Sequence, residues 1–380
     1  MEFKISPDLI PLIVGAIIFL ASLISLRLGL SAAIIEILMG ALAGNLGLKS
    51  QDWMLYLASF GGIILTYLAG TEIDTKIMRE KFKESFLIGF FSFAAPFVGT
   101  ICYTYFVEHW SLNACLIAGT ALSTTSLAVV YSVLVETGLT RTKIGKMIMA
   151  ATFVTDMGTA LALSIMFIKP TWYTALFYGV SIVLIIFIYR FSLFILRNKR
   201  MSGKVIEPEI KFIFLALLVF IYFAKLGEGH AILPAFVLGM LMSKHFKIQR
   251  KTSAVSIKLR TVAYAFITPI FFIVGGMKIS IPLIVSAFSI FIIFFAIKII
   301  TKFFGVYFFA KKFIPEGSTY TTLLMSTGLT FGTISSLFGL QAGFIDQTQY
   351  SVLVGVVVAS AVIPTFVAQK WFVPKNLEDI

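Results

Sequence analysis

Thirteen apolar runs, most of them close to twenty residues long, follow one another along this chain, and no other feature constrains its fold so tightly. A bilayer's hydrocarbon core is about 30 Å thick and a helix rises about 1.5 Å per residue, so about twenty apolar residues span it. In lipid every backbone N–H and C=O must be satisfied within the protein, and continuous runs of this length do that as helices. The runs are Ile10–Leu26, Ser31–Gly44, Leu55–Ala69, Ser85–Phe106, Leu112–Val135, Ile144–Ile168 and Tyr173–Leu193. They continue with Ile210–Ala224, Ala231–Met242, Thr261–Met277, Pro282–Ile300, Tyr320–Leu340 and Tyr350–Ala368; the second and ninth are short. Only 13% of the residues are charged, against about 25% in soluble domains. The predicted class is an all-α polytopic membrane protein of thirteen transmembrane helices, without a soluble regulatory domain.

Loop charges orient the spans. Counting Lys and Arg on alternate sides gives 26 on one side and 5 on the other. The rich side includes Lys76, Arg79, Lys81, Lys83, Arg141 and Lys143, and Lys298 and Lys302 are counted there as the end of the eleventh run. The positive-inside rule then predicts a cell-membrane protein with its N-terminus outside and its C-terminus cytoplasmic. The net charge of +13 is mostly this signal and calls for no nucleic acid partner. The N-terminal MEFKISPD has neither the basic region nor the small-residue cleavage site of a signal peptide, so the first run is predicted to be retained. Cys102 and Cys115 offer no disulfide framework or metal-ligand spacing.

One carboxylate stands deep in a run. Asp156 lies ten residues from Lys146, about 15 Å along a helix and so near the middle of the hydrocarbon. An ionisable side chain at that depth is costly and by default marks an ion or proton site.

The order of spans suggests an inverted repeat, with spans 1–6 (about residues 8–168) and 8–13 (about 209–368) as the halves and 173–193 as the connector. Ile37-Leu38-Met39-Gly40-Ala41-Leu42 is echoed by Phe236-Val237-Leu238-Gly239-Met240-Leu241. The end of span 3, through Gly70, is echoed by Val274-Gly275-Gly276-Met277 in span 10. The fifth span of each half carries hydroxyls at mid-depth: Ser123, Thr124, Thr125 and Ser126 in one, Ser326, Thr327, Thr330 and Thr333 in the other. Interrupted helices at matching places in two repeats point to a transporter's binding site, because unwinding frees carbonyls and hydroxyls to hold a cation. The plainer reading is that small hydroxylated residues let helices pack closely.

Other polar residues carry less. Glu72 and Asp74 at the cytoplasmic end of span 3 are candidates for a cation-attracting mouth, or simply solvated helix-end acids. Glu36 is a candidate buried hydrogen-bonding group, and His230, beside Glu228, a candidate pH sensor or plain surface residue. Pro96, Pro234, Pro269 and Pro364 are predicted to kink their spans. There is no nucleotide-binding glycine loop, no Ser/His/Asp set and no Cys/His cluster, so neither an enzyme nor a resident cofactor is predicted.

The stretches Glu36–Gly44, Leu68–Asp74, Ala121–Val130, Thr155-Asp156, Ala235–Met240 and Thr268–Met277 resemble the monovalent cation:proton antiporter-2 family. That resemblance, which runs from span 1 to span 13, implies a homodimer and a mobile core around two crossed, broken helices. It matches Asp156 to the cation- and proton-binding aspartate and Thr125 to a hydroxyl ligand. Electrogenic members usually carry two adjacent aspartates where this chain has Thr155-Asp156, and a lysine in the span-10 motif at the position aligned with Val274. Both departures resemble the electroneutral members.

The predicted mechanism is exchange of one monovalent cation for one proton at Asp156, with Thr155, Thr125, Thr124, Ser126 and freed carbonyls as further ligands and Ser326, Thr327 and Thr330 on the partner break. An empty, charged carboxylate is costly to carry through a dehydrated site, so only the neutralised forms cross. A hard oxygen cage suits sodium; potassium and lithium use similar ligands. A potassium/proton antiporter, a sodium-coupled organic-anion symporter and a cation channel are the alternatives. The symporter lacks a basic anchor at the midplane, and the channel lacks repeated pore sites.

Overall fold

The computed structural model describes residues 7–28, 31–71, 81–139, 142–166, 172–197, 207–226, 231–248 and 250–374, and every regular element among them is helical. The first helices are α1 (Ile10–Leu28), α2 (Ala32–Asn45), α3 (Asp52–Thr71) and α4 (Phe82–Phe106). Next come α5 (Leu112–Ser123), α6 (Leu127–Glu136), α7 (Lys143–Met166), α8 (Trp172–Arg197), α9 (Pro208–Leu226) and α10 (Ile232–Ile248). The remainder are α11 (Arg250–Val262), α12 (Thr268–Met277), α13 (Ile281–Ser286), α14 (Phe288–Lys302), α15 (Phe308–Phe313), α16 (Ser318–Met325), α17 (Thr330–Gln341) and α18 (Gln347–Trp371). Helix occurs in each of the thirteen apolar runs, and eight described stretches are long and apolar enough to cross a membrane. Glu72, Asp74, Glu228 and His230 lie outside the described residues.

Two π-helical turns sit inside long helical stretches, Ala263–Ile267 between α11 and α12 and Phe303–Tyr307 between α14 and α15. The first ends two residues before Pro269, whose ring would crowd the preceding turn's carbonyl; a widened turn relieves that clash. Pro234 falls in the first turn of α10, where no intrahelical donor is required. Pro96 and Pro364 lie inside the continuous helices α4 and α18.

The chain forms two compact units that interleave its sequence halves. One comprises Met1–Asp52, Lys76–Thr159 and Phe272–Ile380, the other Trp53–Thr75 and Ala160–Phe271. Part of the first unit's core is a cluster of Ile88, Val130, Leu134, Met147, Tyr320 and Leu324. In the second unit a cluster forms around Ile64, Tyr67, Leu217, Phe220, Ala235 and Leu238.

Within each unit one pair of helices crosses at glycines. In the first, Gly40 of α2 lies against the backbone of Ile273 and Gly276 of α12 against that of Ile37. In the second, Gly239 of α10 lies against the backbone of Tyr67 and Gly70 of α3 against that of Phe236. A Cβ on any of these four glycines would collide with backbone atoms. In both crossings each glycine meets the residue three positions before the other glycine. The contact pattern between spans 2 and 10 is thus reproduced between spans 9 and 3.

Candidate functional site

The hydroxyl-rich stretches at mid-span are interrupted helices. Between α5 and α6, Thr124, Thr125 and Ser126 are non-helical, and Thr124 is extended (φ −63°, ψ 154°). Between α16 and α17 the non-helical residues are Ser326–Leu329. The breaks meet: the Ser126 N–H donates to the Thr327 carbonyl at 3.1 Å, and the Thr125 hydroxyl donates to the Met325 carbonyl at 2.9 Å. Four helix ends thereby converge, bringing together carbonyls of α5 and α16 and the N-termini of α6 and α17.

Most hydroxyls here serve helix ends. Ser123 donates to the Thr120 carbonyl, Thr124 to that of Ala121, Ser326 to that of Thr322 and Thr327 to that of Leu324. Ser126 Oγ accepts from the Val129 N–H in the first turn of α6. A hydroxyl that donates its proton to a carbonyl keeps lone pairs, so it still has electrons to offer a cation. Thr330 begins α17, two residues past the non-helical Gly328.

Asp156 lies past the middle of α7 and is 2% exposed, and its Oδ1 has no hydrogen-bond partner. The neighbouring turns of α7 face the same region. Thr155 donates to the Ala151 carbonyl and, at 3.3 Å, to Gly89 of α4, while Thr152 donates to Met325 Sδ at the end of α16. Gly89 permits this approach, since a Cβ there would collide with the Ala151 carbonyl oxygen and with Val154.

The largest departure from the sequence reading concerns two lysines. Lys298 and Lys302 were expected at the cytoplasmic end of the eleventh span, yet both are 0% exposed. Helix does not stop at Lys302: the π turn and α15 carry it to Phe313, so Lys302 is interior to a 26-residue apolar stretch. The signal was present in the sequence as the eight apolar residues Phe303–Ala310 between Lys302 and the true end at Lys311-Lys312. Without this pair the basic bias is 24 against 5, which still gives the same orientation. The expectation that no deep lysine exists is corrected: Val274 occupies the span-10 position, and Lys302 reaches the crossing from α14 instead.

Lys302 Nζ donates to Ser92 Oγ of α4 at 2.8 Å, to the Ser123 carbonyl at 2.8 Å and to Thr125 Oγ1 at 2.9 Å. An ammonium has three protons, and these acceptors take all three. It sits close enough to Asp156 to interact electrostatically. Lys298, one turn earlier, has no hydrogen-bond partner, and its Nζ lies against Gly328 in the α16–α17 break. The structure therefore joins Thr125, Thr327, Lys302 and Asp156 about one crossing, all in the first unit. Glu36 is buried in α2, beside the glycine crossing with α12.

A family model described as the transmembrane sodium/hydrogen exchanger matches residues 14–372. A probable Na(+)/H(+) antiporter of Methanocaldococcus jannaschii is 25% identical over 384 residues, covering 96% of each chain. A Na(+)/H(+) antiporter of Enterococcus hirae is 26% identical over 373 residues, covering 94% of this chain and 95% of its own. Among solved structures, the sodium proton antiporter MjNhaP1 of Methanocaldococcus jannaschii at pH 8 superposes with a TM-score of 0.68 over 94% of this chain and 97% of that one, at 11% identity, a likeness of fold.

Proposed function

Because this chain belongs to the transmembrane sodium/hydrogen exchanger family, we propose that it is a multi-pass secondary antiporter that exchanges Na+ for H+ at Asp156. The carrying observation is a buried carboxylate oxygen with no hydrogen-bond partner, set near a crossing of interrupted helices. A carboxylate in that setting holds either a proton or a small cation, and the buried charge penalises transit of the empty form. Coupling follows, since each cation entering displaces one proton. Thr155, the hydroxyls of Thr124 and Ser126 and carbonyls at the breaks supply further oxygen ligands, and Ser326, Thr327 and Thr330 carry the facing break. Thr125 orders the site by bridging Lys302 and the Met325 carbonyl.

Exchange is one for one. Three neutral acceptors hold the Lys302 ammonium, so in this reading it stays protonated while Asp156 alternates. Two further features belong to the reading. The paired glycine crossings support two inverted six-helix repeats among thirteen spans, working by alternating access, and the family resemblance implies a homodimer. The motifs around Gly40, Thr125 and Thr155-Asp156 support the antiporter-2 branch, and the loop charges support a cell-membrane location with the N-terminus outside.

The test is sodium-, lithium- or potassium-driven pH change in proteoliposomes with a lumenal pH dye. Sodium should drive proton movement with a half-saturating concentration that rises as pH falls, by mass-action competition at one carboxylate. Asp156→Asn should abolish the signal while the protein still elutes as a folded species. Near-normal exchange in Asp156→Asn would refute the assignment, and a response to potassium alone would make this a potassium/proton antiporter.

A further inference from the structure

Lys298 is not used by this exchange scheme, and its surroundings ask for a counter-charge. Its side chain is fully buried and its Nζ has no hydrogen-bond partner. The ammonium lies against Gly328: a Cβ there would collide with Nζ and sit 2.8 Å from Thr124 Oγ1. Glycine at this position is what admits the ammonium to the break. Two residues on, α17 begins at Thr330, and its N-cap residue Leu329 makes no side-chain capping bond. The opposite break differs, since Ser126 Oγ accepts from the first turn of α6.

The N-terminus of a twelve-residue helix carries roughly half a positive charge. An unpartnered ammonium beside that end adds a full charge of the same sign, and Lys302 lies close enough to add to it. The carboxylate that could oppose them, Asp156, is engaged electrostatically with Lys302 and is taken up by its own proton or cation in transport. With both lysines protonated, two ammoniums and a helix N-terminus against one carboxylate leave the break with excess positive charge in a buried setting. A small monovalent anion removes that excess, accepts from Lys298 Nζ and is favoured by the helix end.

We propose that Lys298 and the uncapped N-terminus of α17, over Gly328, form a binding site for a small monovalent anion of the chloride class. The anion is held as a counter-ion and is not a transported substrate. It lowers the net charge of the break by one in both the proton-loaded and the cation-loaded carrier. This goes beyond the exchange reading, because halide binding is measurable whether or not transport occurs.

The probe is chloride or bromide against gluconate, at constant sodium and ionic strength. The purified protein should show a saturable rise in melting temperature with halide but not with gluconate, as mass action requires of a ligand bound to the folded state. Lys298→Met should weaken halide binding about tenfold or more, the order expected from losing a charged donor. Gly328→Ala, which displaces the ammonium, should weaken it in the same direction. If Lys298→Met does not fold, line broadening of chloride-35 on titration with wild-type protein, reversed by bromide, decides the question. Identical melting in halide and gluconate with no chloride-35 broadening would overturn the site, as would undiminished halide binding in Lys298→Met. Sodium-driven exchange that persists equally in gluconate with no halide binding sinks this proposal alone. Absence of exchange in every anion sinks the exchange reading and leaves the binding arms to decide the site.

Discussion

Replacing Thr125 by Val separates two roles for one hydroxyl. In the structure that hydroxyl donates to the Met325 carbonyl at 2.9 Å and accepts from Lys302 Nζ at 2.9 Å, and the residue is 1% exposed. Valine keeps the shape and removes both interactions, leaving a helix-end carbonyl and one ammonium proton short of partners. A neutral hydrogen bond is worth about 0.5–1.5 kcal/mol and one to a charged group about 1.5–3 kcal/mol, so the expected loss of stability is about 2–4 kcal/mol. A residue that only lent a lone pair to the transported cation would instead cost about 1–2 kcal/mol of cation affinity, roughly five- to thirty-fold, with little loss of stability. Two assays are needed: equilibrium or thermal unfolding in detergent, and the half-saturating sodium concentration in proteoliposomes. Thr125→Ser, which restores the hydroxyl, should recover most of the stability. Unchanged unfolding in Thr125→Val together with a tenfold weaker response to sodium would refute the bridging role and return Thr125 to the ligand set.

Electroneutral exchange predicts that the steady-state sodium gradient follows the pH gradient alone when the potential is clamped at different values with valinomycin. A 100 mV potential would bias a one-charge cycle by about 2.3 kcal/mol, so sodium driven uphill at zero pH gradient would reveal a second exchanging proton, with Lys302 the first group to examine. The glycine crossings predict a contrast between neighbours. Gly276→Ala puts a Cβ on the Ile37 carbonyl oxygen and 2.9 Å from its carbon, and should cost at least the roughly 1–3 kcal/mol of an overpacked core. Gly275→Ala meets only Thr333 Cγ2 at 3.4 Å and Tyr350 Oη at 3.6 Å and should be near neutral; equal melting temperatures for the two variants would count against the crossing as drawn.

Hydropathy alone marked most of the helices of this protein, though α11 (Arg250–Val262) lies in a polar stretch between two apolar runs. In lipid an extended run of apolar residues has one way to satisfy its backbone locally, so helix occurs in each of the runs among the described residues, and the hydroxyl clusters marked where two of them break. Asp156 was legible for a related reason: a carboxylate far from both ends of an apolar run has no polar boundary within reach. Position along the chain could not decide the fate of Lys298 and Lys302. A lysine near the end of an apolar run can extend its long side chain to the interface or turn inward, and the choice belongs to its neighbours. Here Ser92 of α4, the freed Ser123 carbonyl and Thr125 supply three acceptors from segments distant in sequence, and the break at Gly328 leaves room for the second ammonium. Sequence counted these two charges as loop charge, whereas tertiary packing makes them part of the crossing, because only packing brings those acceptors to one place.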